Sequence, residues 1–72
     1  MNPFQTLREA RLAAGLTYGE VAQGIGVGWT ALAHYEAGRR TPAPHVHDRW
    51  RTALKQLLAA RASAIANHLA TL

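Results

Sequence analysis

The chain has 72 residues, which is enough for only one domain, and a domain of this size buries only about 60% of its unfolded surface. It contains no cysteine, which excludes disulfides and thiolate metal sites. Lys and Arg number 8 against 4 Asp and Glu, so the net charge is +4, which favours a polyanionic partner such as nucleic acid. A mild basic bias without such a partner is the alternative, since many small proteins have one.

The sequence also argues against a membrane protein. Its apolar runs fall well short of the roughly 20 residues that a helix needs to span a bilayer. The first residues, M-N-P-F-Q, lack the basic and apolar regions of a signal peptide. We therefore expect a cytoplasmic protein with no membrane partner.

The first predicted helix ends at about Ala14, and Gly15 follows it. Asn2 suits the N-cap and Pro3 suits the first helical position. Residues at helical spacing line one side of this helix: Phe4, Leu7, Ala10 and Ala14.

The second helix is predicted over about residues 18–24. Thr17 and Glu20 have the T-x-x-E spacing of a capping box, in which each side chain accepts from the other residue's backbone N–H. Val21, Ala22 and Ile25 recur at helical spacing and give the helix an inward face. Gly24 and Gly26 are predicted to end it, because Gly26 suits a left-handed turn.

The third helix is predicted over about residues 29–37, with Gly28 before it and Gly38 after it. Leu32 and Tyr35 face inward. The outward residues contain no Arg, Asn or Gln, the side chains that make bidentate contacts with guanine or adenine. They are Trp29, Thr30, Ala33, His34 and Ala37.

A basic loop follows the third helix. Arg39 and Arg40 are adjacent, and two arginines at this place suit phosphate contacts, which position a protein on DNA without reading its sequence. The alternative is a solvated loop. Pro42 to Pro44 then form a stiff connector, and Pro44 suits the first turn of another helix.

Apolar residues recur every three or four positions over about residues 44–71, which predicts an amphipathic helix of about 25 residues. Its first half can cover the preceding helices. Between Gln56 and Leu72 the only fully charged side chain is Arg61, so a monomer would expose an apolar stripe. The sequence leaves open a bend near residues 59–63, and folding back onto the domain is the alternative to dimerisation. The predicted homodimer interface consists of Leu58, Ile65, Leu69 and Leu72.

Residues from about Leu7 to Pro44 resemble the helix-turn-helix of the lambda repressor and Cro type, the XRE family. The residues that carry the resemblance are Arg11, the G-L-T of residues 15–17, Ala22, the G-V of residues 26–27, Leu32, Tyr35, Glu36, Gly38 and Pro42. The resemblance implies an all-α fold of five helices in a single domain, with the helix-turn-helix at residues 17–36. It also implies an ion pair between Arg11 and Glu36 that ties the first helix to the third.

The resemblance further implies symmetric dimers whose third helices enter the major groove about 34 Å apart. The positions that match DNA contacts are Thr17, Tyr18, Gly28, Trp29, Thr30, Ala33, His34, Arg39 and Arg40. This chain departs from the family pattern at several of them. Tyr18 stands in the usual Gln position, Gly28 in the usual Ser position, and Trp29 and His34 where polar or basic residues are usual.

We therefore predict a sequence-specific double-stranded DNA-binding transcriptional regulator, a Cro-like repressor of a phage, mobile element or bacterial chromosome. It would act as a homodimer at a palindromic operator on the nucleoid. The alternative is a protein-interaction module or antitoxin-like protein that keeps the fold but reads little DNA. We expect no enzyme activity, cofactor, small-molecule ligand or metal site. His45 and His47 do not have metal-ligand spacing at a helix start and are better read as solvated.

Overall fold

The structure, a computed structural model, describes residues 4–72. These residues form four helices and no strand: α1 (Gln5–Ala13), α2 (Tyr18–Ile25), α3 (Trp29–Glu36) and α4 (Pro44–Thr71). The predicted all-α class is confirmed, whereas the predicted count of five helices is wrong. Residues 59–63 continue α4 without a break, because this alanine-rich stretch has high helix propensity and no Gly or Pro. The predicted cap at Asn2 and helix start at Pro3 lie outside the described residues.

The start and the end of α2 have the predicted local causes. Thr17 Oγ1 accepts the Glu20 N–H at 3.1 Å, and Glu20 Oε1 accepts the Thr17 N–H at 3.3 Å, so the capping box is complete. Gly26 is left-handed, with φ +86°, and its N–H donates to the Ala22 carbonyl at 2.9 Å. Because other residues are strained at this φ, Gly26 is what allows the sharp turn into α3.

Gly24 does not end α2 as predicted but lies inside it. A Cβ at this position would be 3.1 Å from the Ala53 Cβ on α4, tighter than ordinary van der Waals contact. Gly24 therefore lets α2 approach α4 closely, whereas a side chain at this position would require Ala53 to shift by a few tenths of an ångström.

The core lies where α4 crosses the first three helices. Trp50 is fully buried at its centre, stacked on Phe4 with ring centroids 5.6 Å apart and tilted against Tyr35 at 6.3 Å. One indole therefore joins the start of α1, the end of α3 and the first half of α4. The buried apolar residues are Phe4, Leu16, Val21, Ala22, Ile25, Leu32, Trp50, Ala53 and Leu54.

The second half of α4 extends beyond this core. Every residue from 59 to 72 is exposed, and the large apolar side chains Ile65 and Leu69 are 61% and 72% exposed. Leu58 differs from the prediction, because it is half-buried and packs against the core instead of lying free on the stripe. No helix within residues 4–72 is both long enough and apolar enough to cross a membrane.

Candidate nucleic-acid interface

Helix α3 is anchored by three residues on its inner face. Leu32 is fully buried, Glu36 is 1% exposed, and Tyr35 packs against the core. Because these side chains fix the rotation of the helix, they also determine which of its residues face outward. α3 is only eight residues long, so such anchoring matters more than its own helix propensity.

The Arg11–Glu36 pair that the resemblance implied is present and buried. Arg11 Nε donates to Glu36 Oε2 at 2.7 Å, and Arg11 Nη2 donates to Glu36 Oε1 at 3.0 Å, which is a bidentate contact. Arg11 Nη1 also donates to the Leu16 carbonyl at 2.9 Å. The hydrogen bond to Glu36 raises the pKa of the Arg11 guanidinium above its ordinary value and outweighs the opposing effect of burial. One guanidinium therefore joins α1, the α1–α2 loop and the end of α3.

The same guanidinium supports Tyr18 at the start of α2. Arg11 Cζ lies 4.1 Å from the centroid of the Tyr18 ring, well within cation–π distance, and the ring is half-buried. Tyr18 is therefore attached to the arginine that also holds α3. This contact favours one orientation of the ring at the N-terminus of α2.

The beginning of α3 presents an apolar side chain next to a hydroxyl. Trp29 is 61% exposed, Thr30 is exposed, and Gly28 before them provides no side-chain cap. One turn further along, Ala33 and His34 are half-buried, so they are less accessible than a fully outward position would make them. The most accessible part of α3 is thus its N-terminal end, which in helix-turn-helix proteins touches base edges.

The loop after α3 carries two exposed arginines. The N–H groups of Arg39 and Arg40 donate to the His34 carbonyl at 3.0 and 3.4 Å, so the loop backbone is tied to the last turn of α3. The Arg40 guanidinium lies 6.0 Å from the centroid of the Tyr35 ring, at the outer limit of a cation–π contact. The backbone of both arginines therefore lies close to the C-terminal end of α3, and the Arg40 charge lies near Tyr35.

None of the nine predicted DNA-contact residues is buried: Ala33, His34 and Tyr18 are half-buried, and Thr17, Gly28, Trp29, Thr30, Arg39 and Arg40 are exposed. They lie at the start of α2, at the start and outer side of α3, and on the following loop. Their accessibility is compatible with contact to an external partner, and their individual roles remain predictions.

Sequence reasoning missed the contact of His47. This half-buried side chain lies edge-on to Phe4, with ring centroids 5.3 Å apart, and it also approaches Trp50 at 6.3 Å, so it is only partly solvated. The three-residue spacing from His47 to Trp50 on one helix was the available signal. His45 is exposed, as predicted.

A protein-family model described as a helix-turn-helix domain matches residues 5–64, from the start of α1 to well into the second half of α4. No curated protein and no solved structure gave a significant match to the chain.

Proposed function

Because the chain belongs to the helix-turn-helix family and has the features of an XRE-type DNA-binding domain, we propose that it is a sequence-specific regulator of transcription. In this proposal it is a Cro-like repressor that binds a palindromic operator as a homodimer and blocks access to a promoter. It acts by binding and not by catalysis. Its place in the cell is the cytoplasm, on the nucleoid.

The observation that best supports DNA binding is the presentation of α3. A buried ion pair and two core residues hold its inner face, while Trp29 and Thr30 stand exposed at its N-terminus. Arg39 and Arg40 add positive charge at its other end, within a chain of net charge +4. In helix-turn-helix proteins the N-terminal residues of the recognition helix contact base edges, and arginines position the protein by contacting phosphates, so this arrangement supports insertion of α3 into the major groove.

A gel-shift assay over a range of salt concentrations tests this proposal. The labelled duplex is an operator selected from a random pool of bound duplexes, and it competes with unlabelled duplex of random sequence at each salt concentration. Specific binding is expected to exceed random-sequence binding by about 10³-fold or more once salt has weakened the phosphate contacts. Binding that never exceeds that of the random competitor at any salt concentration contradicts a sequence-specific regulator.

The proposed homodimer rests on the second half of α4. From Leu58 onward, apolar residues follow a regular 4-3-4-3 spacing, the pattern of a coiled-coil seam. The residues on this stripe are Leu58, Ala62, Ile65, Leu69 and Leu72. An isolated helical end of about this length is only marginally stable in water, so pairing with a second copy would both bury the stripe and stabilise the helix. Leu58 lies at the base of the stripe, where it already packs against its own core.

Sedimentation analysis with two double variants tests the dimer. Ile65→Asp with Leu69→Asp places two charges on the exposed stripe and is expected to give a monomer. Ser63→Asp with Asn67→Asp is the matched control, because each residue lies two positions earlier and therefore about 200° round the helix. The control is expected to remain dimeric. A dimeric Ile65/Leu69 variant means that the interface lies elsewhere.

A second candidate function is suggested by Trp29. Exposed tryptophan is typical of hot spots in protein interfaces, and α3 lacks the side chains that usually read guanine or adenine. The chain would then be an antitoxin-like or other protein-binding module. This alternative predicts that duplex binding remains nonspecific in the gel-shift assay.

A further inference from the structure

Few groups on α3 are free to reach a base edge. Leu32 and Glu36 are buried, and Tyr35 packs into the core. Of the remaining residues, only Trp29 and Thr30 are exposed, while Ala31, Ala33 and His34 are half-buried. The accessible surface at the N-terminal end of α3 is therefore one large indole and one hydroxyl, with no side chain on Gly28 to cover the indole.

This surface is chemically suited to one feature of the major groove. Bidentate hydrogen bonding to guanine or adenine needs Arg, Lys, Asn or Gln, and α3 has none of them. The C5-methyl group of thymine is the apolar feature of the major groove, and it is read by apolar contact. We propose that Trp29 determines specificity by contacting C5-methyl groups of pyrimidines in the major groove, an inference that rests on the proposed function. Thymine and 5-methylcytosine are then equivalent in this contact, although their hydrogen-bonding edges differ.

The surroundings of Trp29 favour a DNA contact over a protein contact. Within residues 4–72 the other large exposed apolar side chains are Leu12 on α1 and Ile65, Leu69 and Leu72 on the distal half of α4. Trp29 is therefore the one large exposed apolar side chain of α2, α3 and the turn between them, next to Thr30 and at the opposite end of α3 from Arg39 and Arg40. A contiguous exposed apolar patch marks a protein-interaction site, and Trp29 has no large exposed apolar neighbour on α2 or α3 with which to form one.

Base substitutions in the selected operator test the proposal directly. Deoxyuridine in place of thymidine removes only the C5-methyl group and leaves the hydrogen-bonding edge unchanged. Loss of one buried methyl contact is expected to weaken binding about fourfold, from about 0.8 kcal/mol per buried carbon. In a second comparison, the same T·A pair is replaced by 5-methylcytosine·guanine or by cytosine·guanine. The duplex that carries 5-methylcytosine is expected to bind more tightly by a similar factor.

Protein variants assign the methyl contact to Trp29. Trp29→Ala is expected to bind the thymidine and deoxyuridine operators equally, because the group that distinguishes them is gone. Leu12→Ala, which removes another exposed apolar side chain, is expected to keep the fourfold ratio. Arg40→Ala is expected to weaken binding to both duplexes while keeping their ratio. Circular dichroism checks that each variant is folded, as expected because all of these side chains are exposed.

The outcomes separate this inference from the proposed function. If the selected operator is preferred over random DNA but no deoxyuridine substitution matters, the methyl contact is wrong and the regulator remains. If Trp29→Ala keeps the sensitivity to deoxyuridine, another residue makes the contact and the inference is wrong. If no duplex is preferred at any salt concentration, the proposed function itself fails, and Trp29 is left as an anchor for a protein partner.

Discussion

Replacing Glu36 by glutamine keeps the size of the side chain and removes one charge from a buried pair. The side chains of Arg11 and Glu36 are 7% and 1% exposed, and they form two charge-assisted hydrogen bonds of 2.7 and 3.0 Å. In the variant the guanidinium stays buried without its counter-charge. We expect Glu36→Gln to lower the free energy of unfolding by about 3–5 kcal/mol, the usual cost of breaking a buried pair.

The size of this loss is large for such a small domain. At about 0.05–0.15 kcal/mol per residue, the whole chain is expected to have a stability of about 4–11 kcal/mol. Urea unfolding followed by circular dichroism measures the change, with protein concentration held constant because dimerisation also contributes to stability. The pKa of Arg11 is raised in the folded state, so its contribution is complete below its ordinary pKa and is lost only as pH rises through the higher folded value. Arg11 therefore stays protonated between pH 7 and 10. Its deprotonation should not reduce the difference in free energy of unfolding between wild type and Arg11→Met over this range.

An exposed ion pair provides the control. Arg61 Nη2 lies 3.4 Å from Glu20 Oε2, and both side chains are 43% exposed, so Arg61→Gln is expected to cost less than about 1 kcal/mol. The double variant Arg11→Met with Glu36→Leu should be more stable than either single variant, since no charge is left unpaired. It should not fully recover, because the Leu16 carbonyl loses a donor. A loss below 1 kcal/mol in Glu36→Gln would refute the view that this pair holds α1 against α3.

Three further predictions concern the core, the α2–α4 contact and the basic loop. In urea unfolding, Trp50→Ala is expected to lower the free energy of unfolding by about 3–5 kcal/mol. Trp50→Phe should cost less, because the buried Trp50 Nε1 has no hydrogen-bond acceptor among the described residues. Gly19→Ala should stabilise by up to about 1 kcal/mol, since its Cβ would meet only the Thr17 hydroxyl at 3.9 Å, whereas Gly24→Ala should destabilise because its Cβ would crowd α4. The opposite order of these two glycine variants would be inconsistent with the close α2–α4 contact. Arg39→Ala and Arg40→Ala should each weaken binding equally on all sequences and lower by about one the slope of log affinity against log salt concentration. An altered base preference with an unchanged slope would count against phosphate contact.

The parts of this structure that depend on local chemistry could be predicted from the sequence. The capping box of Thr17 and Glu20 and the left-handed turn at Gly26 each involve only a few consecutive residues, and both are present. The C-terminal helix was predicted at residues 44–71 because its periodic pattern is long and uninterrupted, and it occupies Pro44–Thr71. The Arg11–Glu36 pair spans 25 positions and was inferred only through the family resemblance.

The errors involve contacts between residues far apart in the chain. From the sequence alone, Gly24 is predicted to end a helix, because its distance from α4 is not known. Leu58 is likewise predicted to lie on an exposed stripe, because the core beneath it is not known. His47 likewise shows its aromatic contacts only once α1 and α4 are placed together. At the candidate interface, sequence reasoning located the outward residues of α3, but the difference in exposure between Trp29 and the half-buried His34 required the folded structure.

Selection of bound duplexes from a random pool tests the central claim most directly. Two copies of α3, related by the two-fold axis of a dimer, should enrich an inverted repeat. The centres of its half-sites should lie one helical turn of DNA apart, about 10–10.5 base pairs, or a multiple of that distance. The Ile65→Asp/Leu69→Asp variant should lose this paired pattern while the Ser63→Asp/Asn67→Asp control keeps it. A pool that stays unenriched through repeated rounds, at salt concentrations where the protein still binds DNA, would contradict the account.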